Sequence, residues 1–140
     1  MLVPKKVKHR KWQTGRKGEA KNVRPDTRGI TLNFGSHGLK AETAARVTSN
    51  QLESARKAMQ RHLTKVGKVW IRIFPDRPFT QKAAQVPMGK GKGDPEGYCF
   101  EVHPGRIIFE VDGVDAQIAR EALRKAGTKL PIKTRIIERA

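Results

Sequence analysis

Apolar positions along the chain recur with two different periods, and the changes between them divide it into elements. Ile30–Phe34 (Ile-Thr-Leu-Asn-Phe) alternates with period two and predicts a half-buried strand. Gly35 and Gly38 mark a turn after it, Leu39 and Ala41 begin a second short strand, and His37 is expected as an exposed turn residue. The period then lengthens. Leu52, Ala55, Met59, Leu63 and Val66 recur at helical spacing, so a helix is predicted over Thr48–Val66. Thr48 with Gln51 forms a capping box, and Gly67 supplies the stop. The opposite face carries Arg56, Lys57, Gln60, Arg61 and Lys65, with Glu53 as an i,i+4 partner for Lys57.

Val69–Phe74 (Val-Trp-Ile-Arg-Ile-Phe) is rich in β-branched and aromatic residues and reads as a strand. With Val69, Ile71 and Ile73 turned to the core, Trp70, Arg72 and Phe74 share the other face, either as a stacking and phosphate platform or as a second small core. Pro75-Asp76-Arg77-Pro78 breaks the strand, and Phe79–Val86 is weakly patterned. Tyr98–Val102 and Arg106–Val111 read as antiparallel strands joined through His103-Pro104-Gly105. Asp115 opens a second helix to about Lys129, whose buried row is Ile118, Ala122, Leu123, Ala126 and Leu130. Ile132–Ile137 makes a final strand. Strands around two single helices, without βαβ alternation, predict an α+β fold: a mostly antiparallel sheet with two helices packed on one face.

Between two predicted strands lies Pro87–Gly97, Pro-Met-Gly-Lys-Gly-Lys-Gly-Asp-Pro-Glu-Gly. Gly89 and Gly91 free the backbone to adopt positive φ, and Lys90 and Lys92 project between them. Pro95 is expected to stop a helix or inner strand here. The spacing matches neither Walker A nor the dinucleotide fingerprint. A protruding cationic loop longer than an ordinary hairpin turn implies a polyanion nearby and no more.

Charge makes that implication stronger. The 140 residues hold 30 Lys and Arg against 13 Asp and Glu, a net charge of +17, which marks an electrostatic footprint for nucleic acid. Hydrophobic residues make up 36%, and with glycine counted this approaches the globular range, so one folded domain is expected at 29–140. Residues 1–28 form a basic extension, with Lys5, Lys6, Lys8, Arg10, Lys11, Arg16 and Lys17 among its cations. Too polar to fold alone, it is expected to be disordered until phosphates order it. Trp12 either stacks on a base or tucks against the domain.

Other classes find little support. Neither predicted helix has large apolar residues to spare for a membrane surface, and no apolar run approaches a span. Cys99 is the single cysteine, so no intramolecular disulfide forms, which fits a reducing compartment. The N-terminus reads as mature sequence rather than a signal or transit peptide. His9, His37, His62 and His103 are scattered, and no metal-ligand spacing, carboxylate set or nucleophile turn is legible, so neither cofactor nor enzymatic activity is expected. Composition alone leaves open a structural RNA-binding protein, a free-standing nucleic-acid-packaging protein and an RNA-modifying enzyme with an unrecognised site.

Seven stretches carry a resemblance: Met1–Lys6, Phe34–Ala41, Thr48–Ala58, Lys68–Asp76, Met88–Gly93, Pro104–Arg106 and Leu130–Thr134. In this order and spacing the chain resembles, from Met1 to about Thr134, the bacterial large-subunit ribosomal protein sixteen family, which has archaeal and eukaryotic relatives. The resemblance implies an α+β domain on large-subunit rRNA beside the aminoacyl-tRNA site, among neighbouring ribosomal proteins in cytoplasmic ribosomes. An organellar ribosome is compatible with the same resemblance. It implies rRNA contacts from the basic extension and from the faces holding Arg56, Lys57, Arg61 and Arg72. It implies tRNA contacts from Gly89, Lys90, Gly91 and Lys92. Pro87 stands where the family usually has Arg, and residues 17–30 and Asp94–Gly97 also depart from its pattern.

Overall fold

A computed structural model of the chain describes residues 1–13 and 24–140. Among them are seven strands and two helices in the order β1 (His37–Ala41), β2 (Ala45–Thr48), α1 (Ser49–Leu63), β3 (Lys68–Ile71), β4 (Arg77–Gln81), β5 (Asp94–Val102), β6 (Ile107–Asp112), α2 (Ala116–Thr128) and β7 (Thr134–Glu138). All strand pairs are antiparallel, as the α+β reading requires, but they divide into two sheets, β3-β6-β1-β7 and β2-β5-β4. The two helices pack on each other, α2 lying on the first sheet and α1 on the second. β6 (Ile-Ile-Phe-Glu-Val-Asp) is the near-continuous apolar run of a strand covered on both faces, and every residue of it except Asp112 is buried.

Thr48 caps α1 through both halves of the box: its Oγ1 accepts from Gln51 N–H and Gln51 Oε1 accepts from Thr48 N–H. Leu52, Ala55, Met59 and Leu63 line the buried face. The helix ends sooner than its apolar row, because Thr64 takes φ 53°. Val66 lies past that break and is exposed. In α2 the buried row is Ala119, Ala122, Leu123 and Ala126, and Ile118 points outward. Small alanines on α2 let the helices approach, so the closer-packing Ala119 takes the place the sequence offered to Ile118. Asp115 occupies the N-cap position without a side-chain capping bond.

Other expectations are corrected by long-range pairing. Ile30–Phe34 is not a strand: the segment crosses the outer face of the first sheet, with Ile107 N–H donating to Gly29 O at 2.8 Å and Ser36 N–H to Val111 O at 3.1 Å. Gly38 leaves the space that Leu32 of this segment fills. His37 is not an exposed turn residue but opens β1, opposite Val111 and Glu138, and is buried. Tyr98–Val102 and Arg106–Val111 do not form a hairpin, since β5 and β6 lie in different sheets and Gly105, at φ 98°, turns the corner between them. The proline-rich break and the weakly patterned stretch after it contain β4. That strand is at a sheet edge, where Pro78 costs no ladder bond. Asp94–Gly97 belongs to β5 rather than to the loop. Pro95 is tolerated because β2 pairs only with Cys99–Val102, leaving the other side of β5 open at that point.

Candidate nucleic-acid interface

The cations that the sequence marks as phosphate contacts fall into three settings. Lys5, Lys6, Lys8, Arg10 and Lys11 are all exposed on an irregular N-terminal run, while Arg16 and Lys17 lie outside the described residues. The run is anchored at both ends. Met1 Sδ accepts from Ser49 Oγ at 3.6 Å at the start of α1. Trp12 lies under the Arg77 guanidinium, 5.5 Å from the ring centroid. Trp12 therefore tucks against the domain through a cation–π contact. Further on, Asp26 N–H donates to Pro104 O at 2.9 Å and its carboxylate pairs with Arg106 at 3.4 Å, so the last residues of the basic extension pack against the domain.

On α1 the basic face is divided. Lys57 and Arg61, with Lys65 just past the helix end, are exposed and make no salt bridge among the described residues. Arg56 is held within the helix: it pairs with Glu53 and donates to Gln60 Oε1 at 2.9 Å. Glu53 thus serves Arg56 at i,i+3 rather than Lys57 at i,i+4, and the Arg56 hydrogen bond holds its carboxyl below the usual range. The face of α2 differs, because Arg124 pairs with Glu121 and Arg120 with Glu138.

Arg72 is the clearest departure. Its Nη1 donates to Glu110 Oε2 at 2.6 Å and to Thr31 O at 3.2 Å, so the guanidinium is turned toward the protein. Glu110, a fully buried carboxylate at the middle of β6, also accepts at Oε1 from the N–H groups of Asn33 (2.9 Å), Phe34 (3.1 Å) and Gly35 (3.3 Å). Burial pushes its pKa up, but the Arg72 hydrogen bond and the three backbone donors outweigh that, and the carboxyl stays ionised below its ordinary range. No local pattern marks Glu110 in the sequence. Its one signal is an acidic residue inside an apolar strand run, which demands a buried partner.

The Gly/Lys loop is the connection between β4 and β5, residues 82–93. Gly89, Lys90 and Gly91 all have positive φ (108°, 59° and 101°), and no atom lies within 4 Å of where a Cβ on either glycine would sit. Lys90 and Met88 are exposed at the tip. Lys82 Nζ donates to Gly89 O. Lys92 Nζ donates to Trp12 O and Lys11 Nζ to Lys92 O at 3.5 Å, so the N-terminal run and the base of the loop are linked both ways. The loop and the end of the N-terminal run therefore meet beside β4 of the second sheet. Cys99, buried in that sheet, has its thiol pKa raised by desolvation and stays protonated.

Among the described residues, no group of three His, Cys, Asp or Glu side chains is placed to hold a metal ion, and no helix is long and apolar enough to cross a membrane. Comparison with known proteins agrees with the pattern of motifs. The family model described as ribosomal protein L16p/L10e matches residues 4–137. The chain is 54% identical over 140 residues to the large ribosomal subunit protein uL16 of Maricaulis maris (strain MCS10), covering 99% of this chain and 98% of that one. It is 56% identical over 140 residues to the protein of the same name from Beijerinckia indica subsp. indica, with the same coverage.

Proposed function

The chain belongs to the ribosomal protein L16p/L10e family and is a structural constituent of the large ribosomal subunit, and from that premise we propose that it binds large-subunit rRNA through two basic surfaces and presents its Gly/Lys loop to aminoacyl-site tRNA. In this reading residues 1–28 are an RNA-facing arm and 29–140 the single domain that carries it. Lys5, Lys6, Lys8, Arg10, Lys11, Arg16 and Lys17 of the arm, with Lys57 and Arg61 of α1, contact rRNA phosphates. Arg56 and Arg72 hold the protein's own structure. Lys90 and Lys92, with Gly89 and Gly91 shaping the backbone, face tRNA. The protein acts in cytoplasmic ribosomes as a scaffold and has no catalytic role.

The observation that carries the reading is the division of charge between the helices. α2 neutralises both of its arginines with neighbouring carboxylates and leaves only Lys125 unpaired, whereas Lys57 and Arg61 on α1, with Lys65 just past its end, are left without acidic partners among the described residues. Uncompensated like charge is a cost in the free protein that an RNA surface removes. The test is co-sedimentation of tagged protein with purified large subunits, followed by salt titration of its binding to rRNA. The protein is expected in the large-subunit fraction, with log affinity falling by about 0.7–0.9 per log unit of salt for each neutralised phosphate. Removing residues 1–13 should flatten that slope and leave the helix content unchanged. Absence from the large subunit would overturn the assignment, and an unchanged slope would remove the arm from the interface.

A further inference from the structure

Residues 29–36 hold an exposed aromatic ring in a fixed position. Phe34 keeps 54% of its surface open, yet its own N–H and those of both neighbours are bound to the buried Glu110 carboxylate. Gly35 sits so close to β6 that a Cβ there would lie 2.6 Å from Val111 O, which fixes the backbone beside the ring. The ring stacks on Trp70 with centroids 6.1 Å apart and planes at 19°. The Arg72 guanidinium lies over it at 5.2 Å. Arg139 reaches the same segment from β7: its backbone N–H donates to Ser36 O at 2.8 Å and its Nη2 to Leu32 O at 3.0 Å. Glu110, the carboxylate of this cluster, is buried and matched to Arg72, so the exposed part presents the open portion of the Phe34 ring and the exposed Arg139 guanidinium.

A buried ion pair and three backbone hydrogen bonds hold in place a ring that folding itself would not require to be exposed. One exposed guanidinium, that of Arg139, beside an open aromatic suits a flat ligand carrying negative charge. We propose that Phe34, extending the stack begun by Trp70, receives one unpaired base of an RNA strand, with the adjacent phosphate at Arg139. The inference rests on the reading that this protein binds RNA, and adds the place where a base rather than a phosphate is held. Every base has a π-face, so the site takes any of the four.

Fluorescence anisotropy of the full chain with labelled octa-adenylate and with an abasic ribose-phosphate oligomer of equal length separates the two contributions. The unmodified protein should bind octa-adenylate more tightly. Phe34→Ala should weaken octa-adenylate binding about five- to a hundredfold and leave abasic binding unchanged. Phe34→Tyr should behave as the unmodified protein. Phe34→Leu, which keeps an apolar side chain against Trp70 but has no π-face, should lose the base preference and so covers the case in which alanine disturbs folding. Arg139→Ala should weaken both oligomers equally. Unchanged octa-adenylate affinity in Phe34→Ala and Phe34→Leu, with tight binding otherwise intact, would overturn the stacking site and leave the RNA reading in place. No binding of either oligomer by the unmodified protein would overturn the RNA reading itself, and the stacking site with it.

Discussion

Residues 29–36 and the 82–93 loop are both irregular, both contain glycine and both are tied down by side chain–backbone hydrogen bonds, but only the first has a buried charged acceptor among them. In 29–36 a single buried carboxylate, Glu110, accepts from three consecutive backbone N–H groups. Its cost of desolvation makes every one of those bonds necessary. In the loop, exposed lysines donate to backbone oxygens: Lys82 to Gly89, Lys92 to Trp12 and Lys11 to Lys92. Water competes for each of these, so they steer the chain without locking it. The glycines differ in the same sense. Gly35 is there because nothing larger fits, and Gly89 and Gly91 because of their positive φ, with open space around them. One irregular segment is part of the core's charge balance, and the other is free to conform to a partner.

The largest effect should come from Glu110→Ala, which strands the Arg72 guanidinium and three backbone donors. Urea unfolding should show a loss of about 3–5 kcal/mol. A loss below about 1 kcal/mol would mean that the segment is held by packing alone and would erase the contrast.

Glu110→Gln sharpens it through pH. The folded-state pKa of Glu110 lies below its ordinary value, so its contribution is complete above the ordinary carboxylate pKa of about 4.3 and is lost as pH falls through the folded value. The unmodified protein should exceed Glu110→Gln by about 1–3 kcal/mol at neutral pH. Unfolding measured from neutral to acidic pH should show the gap constant down to the ordinary carboxylate range and closing below it. A gap independent of pH would separate the stabilisation from the carboxylate charge.

Gly35→Ala should cost about 1–3 kcal/mol by overpacking, since the obstacle is the backbone of β6 rather than a movable side chain. Thermal or urea unfolding measures this, and a neutral result would show that the segment can lift away from the sheet.

The smallest effect on stability belongs to the loop. Lys90→Ala with Lys92→Ala should change folding free energy by less than about 1 kcal/mol. The same change should weaken aminoacyl-site tRNA binding to purified subunits by about five- to thirtyfold, or roughly 1–2 kcal/mol. Normal occupancy in the subunit with unchanged tRNA affinity would reduce the loop to a solvated connection, and lost occupancy would make it an rRNA anchor.

Much of this architecture is local and was legible along the chain. The capping box at Thr48, the row Leu52–Ala55–Met59–Leu63, the first half of the strand predicted over Val69–Phe74, which ends at Ile71, and the excess of lysine and arginine depend on neighbours within a few residues, and so do the physical rules that read them. The seven matching stretches likewise gave the family that the whole-chain comparison confirms. What tertiary structure decided is everything set by a distant partner. Ile30–Phe34 alternates like a strand, but Glu110, about eighty positions later, takes the N–H groups of Asn33 and Phe34, which a ladder would need. His37 is buried because β6 and β7 close on both sides of it. Arg72 had the sequence context of a phosphate contact, and Glu110 turned it inward. The Asp94–Gly97 stretch looked like loop until β4 paired with it. In each case the residue's own preference was outweighed by the free energy of a long-range hydrogen bond or ion pair, which no local pattern records.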